Sequence, residues 1–284
     1  MRLLSPAKIN LFLQVVGKRP DGYHDLFTLM CPVGLYDTVT ITFTGSGINA
    51  FCTDPCVPDN ESNLAVKAAK LFLDQGGGRG RENPEGIDIL IEKQIPVGAG
   101  LGGGSSNAAA VLLGLNRYFG SPFQKNQLLE MGLSIGADVP FFIFGKPALA
   151  RGVGEKLKRY HGLSPYPVVL VFPGFSVSTA GVFRDLNLGL TKCERKIKDN
   201  SFIRQRFKAE RHLCNDLETV TASRYKEVNE AKAALLQQGA IGSLMTGSGP
   251  TVFGLFSGKK KAESAAGALS KPGGWKVFCA DMIV

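Results

Sequence analysis

Residues 95–113, IPVGAGLGGGSSNAAAVLL, set five glycines between Gly98 and Gly104, then Ser105 and Ser106, then an alanine-rich apolar run. Glycine takes positive φ without strain and lets a ligand approach with no Cβ in the way. Placed after a strand and before a helix, such a run presents successive amide N–H groups. With the positive end of the helix they form an anion site suited to phosphate. A plain turn would not need so many residues that lose this much chain entropy on ordering. The hydroxyls of Ser105 and Ser106, read as standing at the helix start, can cap its first turn or bind phosphate or a metal. A second loop, Thr246-Gly247-Ser248-Gly249-Pro250-Thr251, lies between two apolar strands. Alone it reads as a β-turn. Together the two loops point to one long anionic ligand held from two sides.

Known nucleotide loops differ in their surroundings. Gly98, Gly100 and Gly103 satisfy G-x-G-x-x-G, but a dinucleotide fold wants an acidic residue about 20 positions on. The region from Gly120 to Lys125 has none. The P-loop pattern is absent, because Ser105 follows Gly104 with no Lys between them. A protein-kinase glycine loop would be followed by H-R-D and D-F-G, and neither occurs in this chain.

Single side chains read less sharply. Asp138, in GADVPFF, is a lone carboxylate between two helical runs and a hydrophobic strand, where an Asp commonly serves a turn or an N-cap. Lys8, in PAKIN, stands among apolar residues just before a strand, a common place for a snorkelling lysine. Tyr23 and His24 follow a tight Pro-Asp-Gly turn. Surface packing explains such a pair as readily as ligand binding does.

The elements that must hold these residues follow from pattern. Segments 9–16, 37–44, 87–95, 167–173 and 275–284 have strand composition, and 139–144, VPFFIF, is short, aromatic and strand-like. Helical spacing marks 63–75, where Glu61-Ser62-Asn63 supplies a polar start, and 105–120, 125–136, 178–186, 225–238 and 260–271. Residues 242–256 read as strand, glycine turn, strand, and 76–86 as a glycine-rich loop. The turn-rich HGLSPYP segment marks a boundary near residue 160, and strands mixed with helices beyond it give an α+β order.

With 284 residues and 44% hydrophobic content, the chain can bury one large core or two moderate ones. No apolar stretch reaches the ~20 residues of a membrane span, and the first ten residues read as neither a signal nor a transit peptide. The six cysteines are scattered without zinc spacing and read as reduced thiols of a cytoplasmic enzyme. A net charge of +9 favours an anionic partner. The basic 191–211 segment reads as a solvated face rather than a nucleic-acid patch.

PVGAGLGGGSSNAA closely resembles the phosphate-binding motif of the GHMP kinase superfamily. SPAKINLFLQVVGKRPDGYHDLFTL resembles its first motif and TGSGPTVFG its third. P-A-K-I-N-L-x-L followed by R-P-D-G-Y-H, with GADVPFF and STAGVFRDL, is similar to one branch of it, whose substrate is a cytidine diphosphate-linked methylerythritol. The resemblance spans nearly the whole chain. It implies an α+β, two-lobed fold with the site between the lobes. An S5 domain 2-like N-terminal lobe would cover 1–160 and a ferredoxin-like C-terminal lobe 161–284. It also implies ATP and Mg²⁺ as cofactors, that cytidyl small molecule as partner rather than nucleic acid or membrane, and a monomer or weak dimer.

Residue roles follow from the same resemblance. Asp138 is the implied base toward an acceptor hydroxyl, and the Lys8 ammonium keeps it ionised and steadies developing charge. Asn63, Lys93, Pro96, Gly98, Gly100, Leu101, Gly102, Gly103, Gly104, Ser105 and Ser106 are implied around the nucleotide, with Ser106 as the metal ligand. Asn10, Tyr23, His24, Thr179, Phe183, Gly247, Ser248 and Asp138 are implied around the acceptor. There Tyr23 and Phe183 would face the two sides of the cytosine and His24 its edge. A helix-borne Glu that binds metal in some superfamily members has no identifiable counterpart.

Overall fold

The computed structural model describes every residue except 44–45, 79–85, 188–201, 203–205 and 271–273. Most of the basic 191–211 segment, the middle of the 76–86 loop and the last residue of the expected 37–44 strand therefore lie outside the described residues. Contacts gather the chain into two compact units, drawn differently from a division at residue 160. One comprises Met1–Ala7, Leu35–Val97 and Gly102–Gly145; the other comprises Lys8–Gly34, Gly98–Leu101 and Lys146–Val284. The first two strands, β1 (Arg2–Lys18) and β2 (His24–Thr42), are much longer than the sequence pattern indicates, and each supplies residues to both units.

In the first unit, the far half of β2 pairs antiparallel with β4 (Gly86–Glu92), and β4 pairs parallel with β3 (Gly47–Cys52). Val39, Ile41, Ile87, Ile89 and Ile91 fill the buried face of this sheet. Helix α1 (Leu64–Asp74) packs on β3 and β4 and against α2 (Gly103–Tyr118), which in turn meets α3 (Lys125–Ile135). Phe72 of α1 anchors this layer, its ring 5.9 Å from Phe119 and 5.2 Å from Phe123.

The VPFFIF segment corrects the sequence reading, because it is a helix, α4 (Val139–Phe144), and not a strand. Pro140 in its first turn already holds the helical φ and gives up an N–H that has no partner there. Five of its six residues are buried, so the apolar run carries no period to betray the helix. It packs tightly on α3 at Gly132, where an added Cβ would lie 2.7 Å from Ile143.

In the second unit, β1 runs parallel to β8 (Cys214–Asn215). The near half of β2 pairs with β5 (Ala148–Gly152), and β5 with β6 (Lys156–Arg159). Short helices α5 (Thr179–Arg184) and α6 (Ala209–His212) lie in the connections. A separate antiparallel sheet has the order β11 (Lys276–Asp281), β7 (Pro167–Phe172), β10 (Val252–Leu255), β9 (Gly242–Met245). Helices α8 (Lys226–Gln237) and α9 (Lys259–Leu269) pack on it, with α7 (Glu218–Arg224) against α8. Val169, Val171, Val228, Ala231, Leu235, Val252 and Ala262 share its core.

Among the described residues no helix is long and apolar enough to cross a membrane. Cys31, Cys52, Cys56 and Cys279 are free thiols. Cys214 is disulfide-bonded, which corrects the reading of all six cysteines as reduced. Linear spacing does not reveal which thiols folding brings together.

Leu235 is fully buried, and its side chain sits 3.1 Å from where a Cβ on Gly254 would be. Leu235→Ala is expected to cost about 2–5 kcal/mol of stability through the cavity it leaves. Urea unfolding of the two proteins measures this, and a loss below that range would show that the helix–sheet interface collapses around the gap.

Candidate active site

The glycine run divides between the units. In the second unit, Gly98 and Gly100 take φ of 65° and 79°. The loop is tied down there by its backbone. The Lys8 N–H donates to the Leu101 carbonyl at 3.0 Å, the Thr251 N–H to Ala99 at 3.3 Å and the Val177 N–H to Gly98 at 3.4 Å. Gly100 faces the second Gly/Ser loop so closely that an added Cβ would stand 2.3 Å from the Thr246 carbonyl oxygen. The two Gly/Ser loops thus touch through Gly100 and Thr246.

Lys8 is 4% exposed, and its ammonium donates to Asn10 Oδ1 at 2.6 Å. Asn10 donates through Nδ2 to Thr28 Oγ1 at 2.9 Å, and its backbone N–H donates to Thr246 Oγ1 at 3.0 Å. A Cβ on Gly247 would come 3.4 Å from Lys8 Nζ. The ammonium thus stands against the backbone of the Thr246–Thr251 loop. That loop is braced from behind: Asn215 donates to the Met245 and Gly247 carbonyls, both at 2.8 Å, and Thr221 donates to the Ser248 carbonyl at 3.0 Å. Thr179 and Ser248 share a hydroxyl hydrogen bond of 2.8 Å. Thr28, Asn215 and Thr221 were not singled out from sequence, since nothing in a lone Thr or Asn distinguishes a brace from a surface residue.

The Pro-Asp-Gly turn forms as expected, with the Arg19 N–H donating to the Tyr23 carbonyl at 2.8 Å and Gly22 at φ 85°. Tyr23 is 63% exposed, whereas His24 is buried and stacks on Phe183, ring centroids 5.3 Å apart and planes 25° apart. Burial, and then the charge of Lys18, hold the His24 imidazole below its ordinary value. It is neutral at neutral pH and offers one donor and one acceptor.

In the first unit, Gly102 is the N-cap of α2 with φ 72°, and no side chain caps the helix. The helix begins at Gly103, two residues earlier than expected, so Ser105 and Ser106 lie within its first turn. Ser106 accepts from Ser5 at 2.8 Å and is 1% exposed. An uncapped 16-residue helix with an exposed Gly104 and no acidic residue in its first turn fits an anion. Asn63 caps α1, accepting from the Ala65 N–H at 2.9 Å and donating to the Pro58 carbonyl at 2.7 Å. The Lys93 ammonium is ion-paired with Asp37, and both side chains are almost wholly buried. Pro96 is half-buried. Asp138 occupies the N-cap position of α4, yet its carboxylate does not cap the helix. Among the described residues no group of three or more His, Cys, Asp or Glu could hold a metal ion.

Residues 63–146 match the family model for the GHMP kinases N terminal domain, and residues 200–274 match that for GHMP kinases C terminal. The chain is similar to a 4-diphosphocytidyl-2-C-methyl-D-erythritol kinase of Syntrophus aciditrophicus, 46% identical over 98% of each chain. It is similar to a crystal structure of 4-(cytidine 5'-diphospho)-2C-methyl-D-erythritol kinase, at 37% identity, 99% coverage of both chains and a TM-score of 0.81. A homoserine kinase from Cytophaga hutchinsonii shares the fold, with a TM-score of 0.71 at 18% identity, 100% of this chain and 94% of that one being covered.

Gly100→Ala would combine a strained positive φ with a backbone clash, whereas Gly22, at φ 85°, has open space where a Cβ would go. The strain alone costs about 1–3 kcal/mol. Urea unfolding should show Gly100→Ala losing clearly more stability than Gly22→Ala. Equal losses would mean that the loop-on-loop contact contributes nothing.

Proposed function

The chain belongs to the 4-diphosphocytidyl-2-C-methyl-D-erythritol kinases of the GHMP kinase superfamily, and from that membership we propose that it transfers the γ-phosphoryl group of ATP to the 2-hydroxyl of 4-diphosphocytidyl-2-C-methyl-D-erythritol. The products are the 2-phosphate and ADP, in the non-mevalonate route to isoprenoid precursors. The observation that carries this reading is identity of 46% along nearly the full length of both chains. The geometry agrees with it. An uncapped helix start follows alternating left-handed glycines, and a buried ammonium is held against a second Gly/Ser loop.

In this reading the N–H groups at the start of α2 hold the phosphates of ATP, whose bound form supplies the electrophilic phosphorus. Lys8 bears on the acceptor oxygen and on the charge that develops around it. Its ammonium is aimed by Asn10, and removal of one such preorganised donor typically costs two to three powers of ten in turnover. Asp138 takes the proton of the hydroxyl as that oxygen attacks. Mg²⁺ would be held largely through the phosphates themselves, with the Ser106 hydroxyl as the chain's own contribution. His24, neutral and oriented by its stack on Phe183, would read the cytosine edge, and exposed Tyr23 would close over the base. The enzyme would act in the cytoplasm, as a monomer or weak dimer.

Phosphorus NMR of the product from ATP and the cytidyl acceptor tests the reaction. A new phosphomonoester signal with the acceptor's diphosphate signals retained is expected. Transfer to homoserine or mevalonate in its place would overturn the assignment.

Two substitutions test the roles. Lys8→Ala should lower kcat by about 10²–10³ while changing the Michaelis constants far less; unaltered turnover removes Lys8 from the mechanism. Phe183→Ala should raise KM for the cytidyl acceptor about ten-fold, in line with the worth of one base–aromatic stack. An unchanged KM would end the base-pocket reading.

A further inference from the structure

Asp37 is fully buried, and no motif drew attention to it. Its Oδ1 accepts from the backbone N–H groups of Gln94 and Ile95, both at 2.8 Å. Its Oδ2 accepts from Asn107 Nδ2 at 3.0 Å and from the Lys93 ammonium. Asn107 lies on α2 one turn past its start, and the same Nδ2 donates to Ser5 Oγ at 3.0 Å. Ser5 in turn donates to Ser106 at 2.8 Å. Lys93 is pressed against the helix start: a Cβ on Gly103 would stand 2.9 Å from its Nζ. One carboxylate therefore ties the residues where the chain leaves β4 to the opening turns of α2, and it offsets the cation beneath them.

We propose that Asp37 is a positioning residue for nucleotide binding, which fixes the entry at Gln94–Ile95 and the start of α2 in the geometry that takes phosphate. This rests on the reading above that the start of α2 holds the phosphates of ATP. A buried carboxylate with four donors turned toward it has a single arrangement in which all are satisfied, and a phosphate cradle must be held to a fraction of an ångström. The arrangement also gives Lys93 a partner other than the ligand.

Asp37→Asn keeps the size of the side chain but turns an amide N–H₂ toward donors and leaves the Lys93 cation buried without its counterion. Calorimetric titration with ADP should show affinity weakened about ten-fold or more, the scale of one charge-assisted hydrogen bond. KM for ATP should rise in parallel while KM for the cytidyl acceptor stays put. A purely structural residue would lower the thermal midpoint and leave that split between the two substrates unmoved. Should Asp37→Asn not fold, Asn107→Ala carries the test, because it keeps the Asp37–Lys93 pair and severs the link from Asp37 to α2, together with the bond from Asn107 to Ser5. A several-fold loss of ADP affinity is then expected. Parental ADP affinity in whichever variant folds overturns the proposal. The ADP titration needs no acceptor, so failure of the parent enzyme to phosphorylate the cytidyl substrate would sink the functional reading separately.

Discussion

Lys8 and Lys93 both carry their ammonium groups out of water, and much of the local architecture answers that constraint. A buried cation without partners costs several kcal/mol, so each requires a fixed set of acceptors. Lys8 is turned onto the amide of Asn10, which is itself locked by Thr28 and Thr246. Lys93 is turned onto the Asp37 carboxylate.

The loops follow from the same logic. Gly98, Gly100 and Gly102 take left-handed φ at alternate positions, a conformation that side-chain-bearing residues rarely hold. Hydrogen bonds from Lys8, Val177 and Thr251 then hold the segment 98–101 along its backbone. The Thr246–Thr251 loop is braced by Asn215 and Thr221 through its carbonyl groups.

Much of this was legible in the residues. The glycine spacing marked a loop that takes left-handed φ at alternate positions, the polar start at Asn63 announced a helix cap that the structure contains, and the apolar periods located most helices and strands. The failures have identifiable causes. The VPFFIF helix is buried nearly all round, so hydrophobicity could not separate a short helix from a strand. α2 begins on glycines, the residues least inclined to helix, because the tertiary setting overrides their propensity. The extent of β1 and β2 escaped the pattern because long buried stretches of both lack alternation. Asp37, Asn107 and Ser5 were invisible because a polar network is a property of three-dimensional neighbours, and their spacing along the chain carries no trace of it.

The path of the chain has a consequence for how the protein can be divided. The polypeptide passes from one compact unit to the other after residues 7, 34, 97, 101 and 145. Neither unit is therefore a contiguous gene segment. Removal of the first 34 residues takes a segment from each unit, and a cut between residues 35 and 145 parts both. Such an interleaved path resists exchange of either unit as a single cassette.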